Sequence, residues 1–160
     1  MRVLIDGYNL LFQSGLLPRR RGPDGLQRAR RSLIRHLARL LEPEAVERTV
    51  VVFDAQQQPP GIDTVEKLHG ITVLYAVNYE DADELLEELI RREPTPKRLL
   101  VVSSDRRIQR AARRRRAHPV DSFEWWNELQ SPGPGRDEPL DDEDEEKPDI
   151  GNPFPEGYGL

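Results

Sequence analysis

The sequence predicts an α/β domain: a central, mostly parallel sheet of about five strands flanked by helices. Three observations carry this expectation. Short apolar runs of strand length recur along residues 1–130. Between them lie longer stretches whose apolar residues fall at helical spacing, the alternation that builds a parallel sheet with helical crossovers. Finally, Asp6 and Asp54 directly follow such runs and Asp105 follows one by three residues, placing acids at the carboxyl ends of strands, where open α/β sheets form their ligand crevice.

The first strand is Val3-Leu-Ile5, stopped by Asp6-Gly7, with the glycine letting the backbone turn tightly beside the crevice. Gln13 to Gly25 reads as a loop, with Pro18, Arg19-Arg20-Arg21 and Pro23. Asp24 then opens a helix with Gln27 as its capping-box partner. Leu26, Ala29, Leu33, Ile34, Leu37, Leu40 and Leu41 form its apolar face, and Pro43 is a stop signal. Thr49 to Phe53 is the second strand, apolar on both faces as an interior parallel strand should be. Asp63 to His69 reads as a short helix closed by Gly70, and Ile71 to Tyr75 as the third strand. Asn78 to Asp81 lead into a helix that buries Ala82, Leu85, Leu86, Leu89 and Ile90 and is broken at Pro94. Leu99 to Val102 is the fourth strand. Ile108, Ala111 and Ala112 mark the next helix. His118-Pro-Val120 reads as an edge strand, because proline lacks the ladder donor. A last helix, capped by Asp121 with Glu124, carries Phe123, Trp125, Trp126 and Leu129, with the tryptophans pinning it to the body.

Composition narrows the class. The chain has no cysteine, which excludes disulfides and thiolate metal sites. No apolar run reaches membrane-spanning length and the first residues lack a signal-peptide layout, so a soluble cytoplasmic protein is expected. The net charge of −5 hides an asymmetry: residues 131–160 hold ten acids and two bases, leaving 22 bases and 19 acids in residues 1–130. The final segment also holds six prolines and five glycines, so residues 131–160 are expected to be a disordered acidic tail following a domain of residues 1–130. The tail has two readings, a solubilising extension or an RNA mimic that folds back on the arginine-rich surface.

Parallel strands present their carboxyl ends on one edge, so Asp6, Asp54 and Asp105 should converge. The third strand adds Glu80, Asp81, Asp83 and Glu84 at the head of a helix. Carboxylates crowded in a crevice repel unless they share protons, pair with bases or bind a cation. An all-oxygen set suits Mg²⁺ or Mn²⁺ rather than zinc, and His36, His69 and His118 have no zinc-pair spacing. Such a cluster fits metal-assisted attack of water on a phosphodiester.

The ordered blocks Asp6-Gly7-Tyr8-Asn9, Val52-Phe53-Asp54, Ala82-Asp83 and Ser103-Ser104-Asp105-Arg106 resemble the signature of the YacP-type NYN domains, within the PIN-like nuclease superfamily. The resemblance implies a PIN-like three-layer fold over about residues 1–130 and a metal-dependent ribonuclease activity using Mg²⁺ or Mn²⁺. It implies that Asp6, Asp54, Asp83 and Asp105 form the catalytic, metal-binding set, with Asn9, Ser103 and Ser104 as polar supports. Asp81 and Asp83 both suit the third block. Asp83 is favoured because it follows Ala82 and starts the helix. Association with ribosomes is implied as well.

For RNA, Arg106 and Arg107 beside Asp105, and the Arg19–Arg20–Arg21 loop after the first strand, are candidate phosphate contacts. The remaining arginines, Arg28, Arg30 and Arg31 among them, read mainly as solvated helix faces. Tyr8, Phe12 and Tyr79 are candidates for stacking unpaired bases, although Tyr8 and Phe12 suit the core equally. Asn9 is placed to hydrogen-bond a water or a neighbouring carboxylate. A non-catalytic RNA-binding module on the same fold is the competing reading. A receiver-like phosphoacceptor domain is disfavoured because Asp6 has no adjacent acid and residues 119–122 lack a lysine. A D-x-D phosphatase is excluded by Tyr8, and no phosphate-binding glycine motif is present.

Overall fold

The computed structural model describes residues 1–18, 22, 24–55, 61 and 64–131. The Arg19–Arg21 candidates and the expected acidic tail after Ser131 lie outside the described residues. The elements run β1 (Arg2–Asp6), α1 (Gly7–Ser14), α2 (Gly25–Leu40), α3 (Pro43–Glu47), β2 (Thr49–Asp54), β3 (Val65–Leu68), β4 (Ile71–Ala76) and α4 (Ala82–Arg92). A 3-10 turn (Pro96–Arg98) then leads into β5 (Leu99–Val102), α5 (Arg106–Arg114), β6 (His118–Val120) and α6 (Ser122–Gln130). The six strands form one sheet in the order β3-β4-β2-β1-β5-β6, parallel except for β3. No helix among the described residues is long and apolar enough to cross a membrane.

Strand alternation divides the core into two layers. Val3, Ile5, Val51, Phe53, Val73 and Tyr75 face α1, α2 and α6, meeting Leu10, Leu33, Ile34, Leu37 and both tryptophans. Leu4, Val50, Val52, Leu74 and Val101 face the other way, onto Leu85, Leu86 and Ile90 of α4 and Ile108 and Ala112 of α5. The sheet is thus covered on both sides, as its near-continuous apolar strands require. Trp125 and Trp126 are buried and do pin α6 to the body, whereas Phe123 of the same helix is 52% exposed.

Three expectations are corrected. Asp63, the expected start of the short helix, lies outside the described residues, and residues 64–69 are not helical: Val65–Leu68 is the antiparallel edge strand β3, paired Leu68 to Ile71. His69 (φ 50°) and Gly70 (φ 89°) are both left-handed, which is the geometry of a two-residue hairpin turn. Histidine in the first turn position disguised it. Second, Gly7 does not make a turn but starts α1, which runs through Ser14 into the expected loop. Its special need is space. A Cβ there would lie 2.7 Å from the Phe53 ring and 2.8 Å from the Val52 carbonyl oxygen. Third, Asp24 precedes α2 but makes no side-chain cap bond, so the expected capping box is not formed. Pro43, expected only as a stop, also opens the short helix α3 from its first position.

Arg30 was expected on a solvated face. It is instead 2% exposed, with its guanidinium 5.6 Å from the Phe53 ring centroid and 5.5 Å from that of Tyr75. Burial lowers its pKa, while nearby Glu66 works in the opposite direction. Glu66 accepts the Tyr75 hydroxyl at 3.0 Å, so a small ionic network lies between the aromatic residues of β2 and β4 and strand β3. Cation–π contact and charge neutralisation together make this burial tolerable.

Because Gly7 leaves no room for a methyl group, Gly7→Ala should destabilise the fold. Overpacking of this kind costs about 1–3 kcal/mol, more than the roughly 1 kcal/mol alanine otherwise contributes to a helix. Urea denaturation should show a lower midpoint, and adding Phe53→Leu should recover part of the loss. An unchanged midpoint would show that the ring gives way freely.

Candidate active site

The sheet register creates the site. β1 and β5 pair Ile5 with Val102, so the next residues, Asp6 and Ser103, emerge side by side at the carboxyl edge. The Ser103 hydroxyl donates to Asp6 Oδ2 at 2.9 Å, and Ser103 is fully buried. The same hydroxyl oxygen accepts the backbone N–H of Asp105 at 3.0 Å, which curls the 103–105 segment and turns Asp105 towards the crevice. Gln109 on α5 donates to the Ser103 carbonyl at 2.8 Å. Asp105 is also the N-cap of α5, accepting the Arg107 N–H at 2.8 Å.

The third acidic block arrives through β2. Asp54 Oδ1 accepts the N–H of Ala82, the first residue of α4, at 2.6 Å. That bond docks the helix head on the sheet edge. Asp81 caps the helix by accepting the Glu84 N–H at 2.9 Å. Asp83, one helical position beyond Ala82, acts electrostatically on Asp6 and is itself acted on by Asp105. The structure therefore brings Asp6, Asp83 and Asp105 together, turns Asp54 to the α4 N-terminus, and gives Asp81 a capping role. Asp83 acts on Asp6 and is acted on by both Asp105 and Asp81.

The carboxyl group of Asp6 is only 7% exposed as a residue, and burial is the main reason its pKa is raised to about 7. The Ser103 hydrogen bond opposes the rise, Asp83 adds to it, the Asn9 backbone opposes it, and Asp105 adds again. Asp83 is raised to about 6, first by burial, then by the Asp105 and Asp81 carboxylates, with Arg107 pulling the other way. Among the described residues, no three His, Asp or Glu side chains are gathered closely enough to hold a metal ion by themselves. The donor chemistry nevertheless suits a hard divalent cation. Asp6, Asp83 and Asp105 offer only oxygens, and the first two ionise against resistance that a cation would relieve. Mg²⁺ commonly takes just one or two carboxylates and keeps several waters.

The polar supports are more tightly woven than their spacing suggested. Asn9 does not reach a carboxylate through its Oδ1. That oxygen accepts the Ser104 N–H at 2.9 Å and the Ser122 hydroxyl at 2.6 Å. Ser104 Oγ accepts the Ser122 N–H at 3.3 Å. Sequence reasoning missed Ser122 and Gln109, since a serine at a helix start and a glutamine on a basic helix carry no distinguishing signal. Tyr8 (39% exposed) and Phe12 (65% exposed) project to solvent one helical turn apart on α1, not into the core. Tyr79 is half-buried against the α4 side of the sheet. Of the basic candidates, Arg106 is exposed, while Arg107 pairs with Glu87 and lies 4.0 Å from Asp83 Oδ2. Arg107 thus acts first as a partial counter-charge to the acids.

The raised pKa of Asp6 has a stability consequence. Between the ordinary carboxyl value of 3.8 and about 7, the folded chain keeps a proton on Asp6 that the unfolded chain has released. Stability therefore falls as pH rises through that window, and Asp83 adds to the fall up to about 6. At pH 8 without divalent ions, Asp6→Asn should stabilise the chain by on the order of 3 kcal/mol, an advantage that shrinks as pH approaches 4. Thermal unfolding of both proteins across pH 4–8 checks this, and parallel pH profiles would contradict it.

A family model described as the YacP-like NYN domain matches residues 3–154. Two crystal structures of Rae1 (YacP) from Bacillus subtilis have the same fold. A point mutant aligns with a TM-score of 0.61 and 26% identity, covering 81% of this chain and 75% of that one. The other structure aligns with a TM-score of 0.58 and 26% identity, covering 81% of this chain and 73% of that one. No curated protein matches the sequence. The family match spans most of the chain, and the sheet and its acidic edge agree with it: the chain belongs to the YacP-like NYN domain family, whose members are generally nucleases.

Proposed function

We propose that the chain is a divalent-metal-dependent endoribonuclease that hydrolyses phosphodiester bonds in single-stranded RNA, acting in the cytoplasm. The observation that supports this most strongly is the meeting of Asp6, Asp83 and Asp105 at the carboxyl edge, with two of them held well above the ordinary carboxyl pKa. Clustered acids with perturbed ionisation in a cleft mark sites built for chemistry rather than for stability. Association with ribosomes, implied by the family resemblance, belongs to the same proposal.

Asp6, Asp83 and Asp105 would hold Mg²⁺ or Mn²⁺, with Asp54 as the further candidate at the head of α4. When bound, such an ion neutralises phosphodiester charge and supplies an activated water. The protein's part is alignment. Ser103 fixes the Asp6 carboxylate by its hydroxyl and holds the Asp105 backbone with the same oxygen. Deprotonation of Asp6 readies it for a cation, and its Oδ2 accepts the Ser103 hydroxyl at 2.9 Å. Arg107 restrains Asp83 from the α5 side and offers charge to an incoming phosphate. Arg106 and the Arg19–Arg21 segment are further candidates for contacts along the strand.

Single-stranded substrate is favoured by the exposed rings on α1, the helix that follows Asp6. Tyr8 lies two residues after Asp6, and Phe12 follows one turn later. Unpaired bases can stack on such rings, whereas a duplex keeps its bases covered.

The decisive assay compares cleavage of single-stranded and structured RNA in Mg²⁺, Mn²⁺ or EDTA. Cleavage should require the ion, and Asp6→Asn and Asp105→Asn should each reduce kcat by about 10²-fold or more. RNA binding without cleavage under every condition would instead support a non-catalytic binding module. For the stacking role, Tyr8→Ala and Phe12→Ala should each raise KM for single-stranded RNA about fivefold or more, with kcat little changed. An unaltered KM in both would remove the rings from the binding surface.

A further inference from the structure

The first turn of α6 is joined to Asn9 and Ser104 by two hydrogen bonds, and a third joins Asn9 to Ser104; the chemistry above uses none of them. We infer that Ser122 is a positioning residue, and that α6 is a latch fixing the Ser103–Asp105 segment, and with it the Asp105 carboxylate, relative to Asp6. This rests on the ribonuclease reading for its catalytic consequence, but not for its geometric one.

The polarity of the bonds is forced. The backbone N–H of Ser104 can only donate, so the Asn9 atom facing it must be the amide oxygen. That oxygen has no proton, so the Ser122 hydroxyl, 2.6 Å away, must donate as well. Ser122 then spends its own N–H on Ser104 Oγ at 3.3 Å. The result is a closed loop of three residues from three elements: Asn9 on α1, Ser104 after β5, and Ser122 on α6. Ser122 is fully buried, so its own hydroxyl is shielded from water, while Asn9 and Ser104 are half-buried.

The position of the loop gives it leverage. Ser104 stands between Ser103, which binds Asp6, and Asp105, which faces Asp83. Its backbone is therefore the hinge between two of the converging carboxylates. Mutual repulsion among Asp6, Asp83 and Asp105 pushes that hinge open, and the Asn9–Ser104–Ser122 loop opposes it. The head of α6 is itself well fixed. Asp121 accepts the Glu124 N–H at 3.1 Å, and both tryptophans anchor the helix in the core one turn below. A well-anchored helix thus holds the segment that carries Asp105, the arrangement that precise sites require.

The test uses Ser122→Ala in the full chain. With the latch removed, exchange of the Ser104 and Asp105 amides, followed by NMR, should accelerate about tenfold. Mn²⁺ affinity, read from the electron paramagnetic resonance of the free ion, should weaken about tenfold, as loss of outer-shell support does. For RNA cleavage, kcat should fall about tenfold with KM unchanged. Because Ser122 acts through Asn9, the double variant Asn9→Ala/Ser122→Ala should be no worse than Asn9→Ala alone. Wild-type exchange rates in Ser122→Ala would overturn the latch. So would faster exchange with unaltered Mn²⁺ affinity and turnover, which would reduce Ser122 to a structural cap. A wild-type chain that binds Mn²⁺ but cleaves no RNA would sink the ribonuclease reading, and the Mn²⁺ comparison would then decide the latch.

Discussion

The hydrogen bond from Ser103 to Asp6 joins the ends of the neighbouring strands β1 and β5 at the edge where acids from three strands gather. Asp6 is buried at the end of β1, and a bare carboxylate there would be costly to ionise. One hydroxyl accommodates it, and the oxygen of that hydroxyl simultaneously collects the Asp105 N–H. Two acids from separate strands are thereby tied to a single atom. The approach of Asp83 follows from a parallel device one strand away, where Asp54 captures the first N–H of α4. Removing the Ser103 hydroxyl would strand both Asp6 and the Asp105 backbone at once.

The acids at this edge fall into two groups by what their oxygens do. Asp54, Asp81 and Asp121 satisfy helix N-terminal N–H groups, where a negative charge is favourable. Asp6 and Asp83 carry raised pKa values, and neither caps a helix through its side chain. Asp105 caps α5 and also presses on Asp83. Stability sacrificed at a converging acidic edge is what a cation-dependent site demands before the cation arrives. A sheet selected only for stability would place neutral residues at those positions.

Much of this was legible in the sequence. The apolar runs marked β1, β2, β4, β5 and β6, and the acids following three of them gave the edge its character. The chain concealed what depends on pairing rather than pattern. β3 was hidden because its hairpin turn uses His69-Gly70 in place of a stronger turn signal. α1 was hidden because Asp6-Gly7 is a turn dipeptide by composition, while here Gly7 is required by the Phe53 ring packed on it. Arg30 reads as a surface residue because nothing local records its approach to Phe53, Tyr75 and Glu66, distant in sequence. In the site, the aspartates were readable one by one, but their division between capping and convergence was not. The role of Ser122 rests on a contact across 113 residues with Asn9, which no local motif encodes.

The central claim is that Asp6 is held in an uncomfortable, buried state that a divalent cation relieves. A carbon-13 NMR titration of the Asp6 carboxyl, with and without Mg²⁺, measures this directly. The account predicts a midpoint near 7 in the ion-free chain, displaced well downward when Mg²⁺ is present. A midpoint at the ordinary carboxyl value of 3.8, unmoved by Mg²⁺, would contradict it.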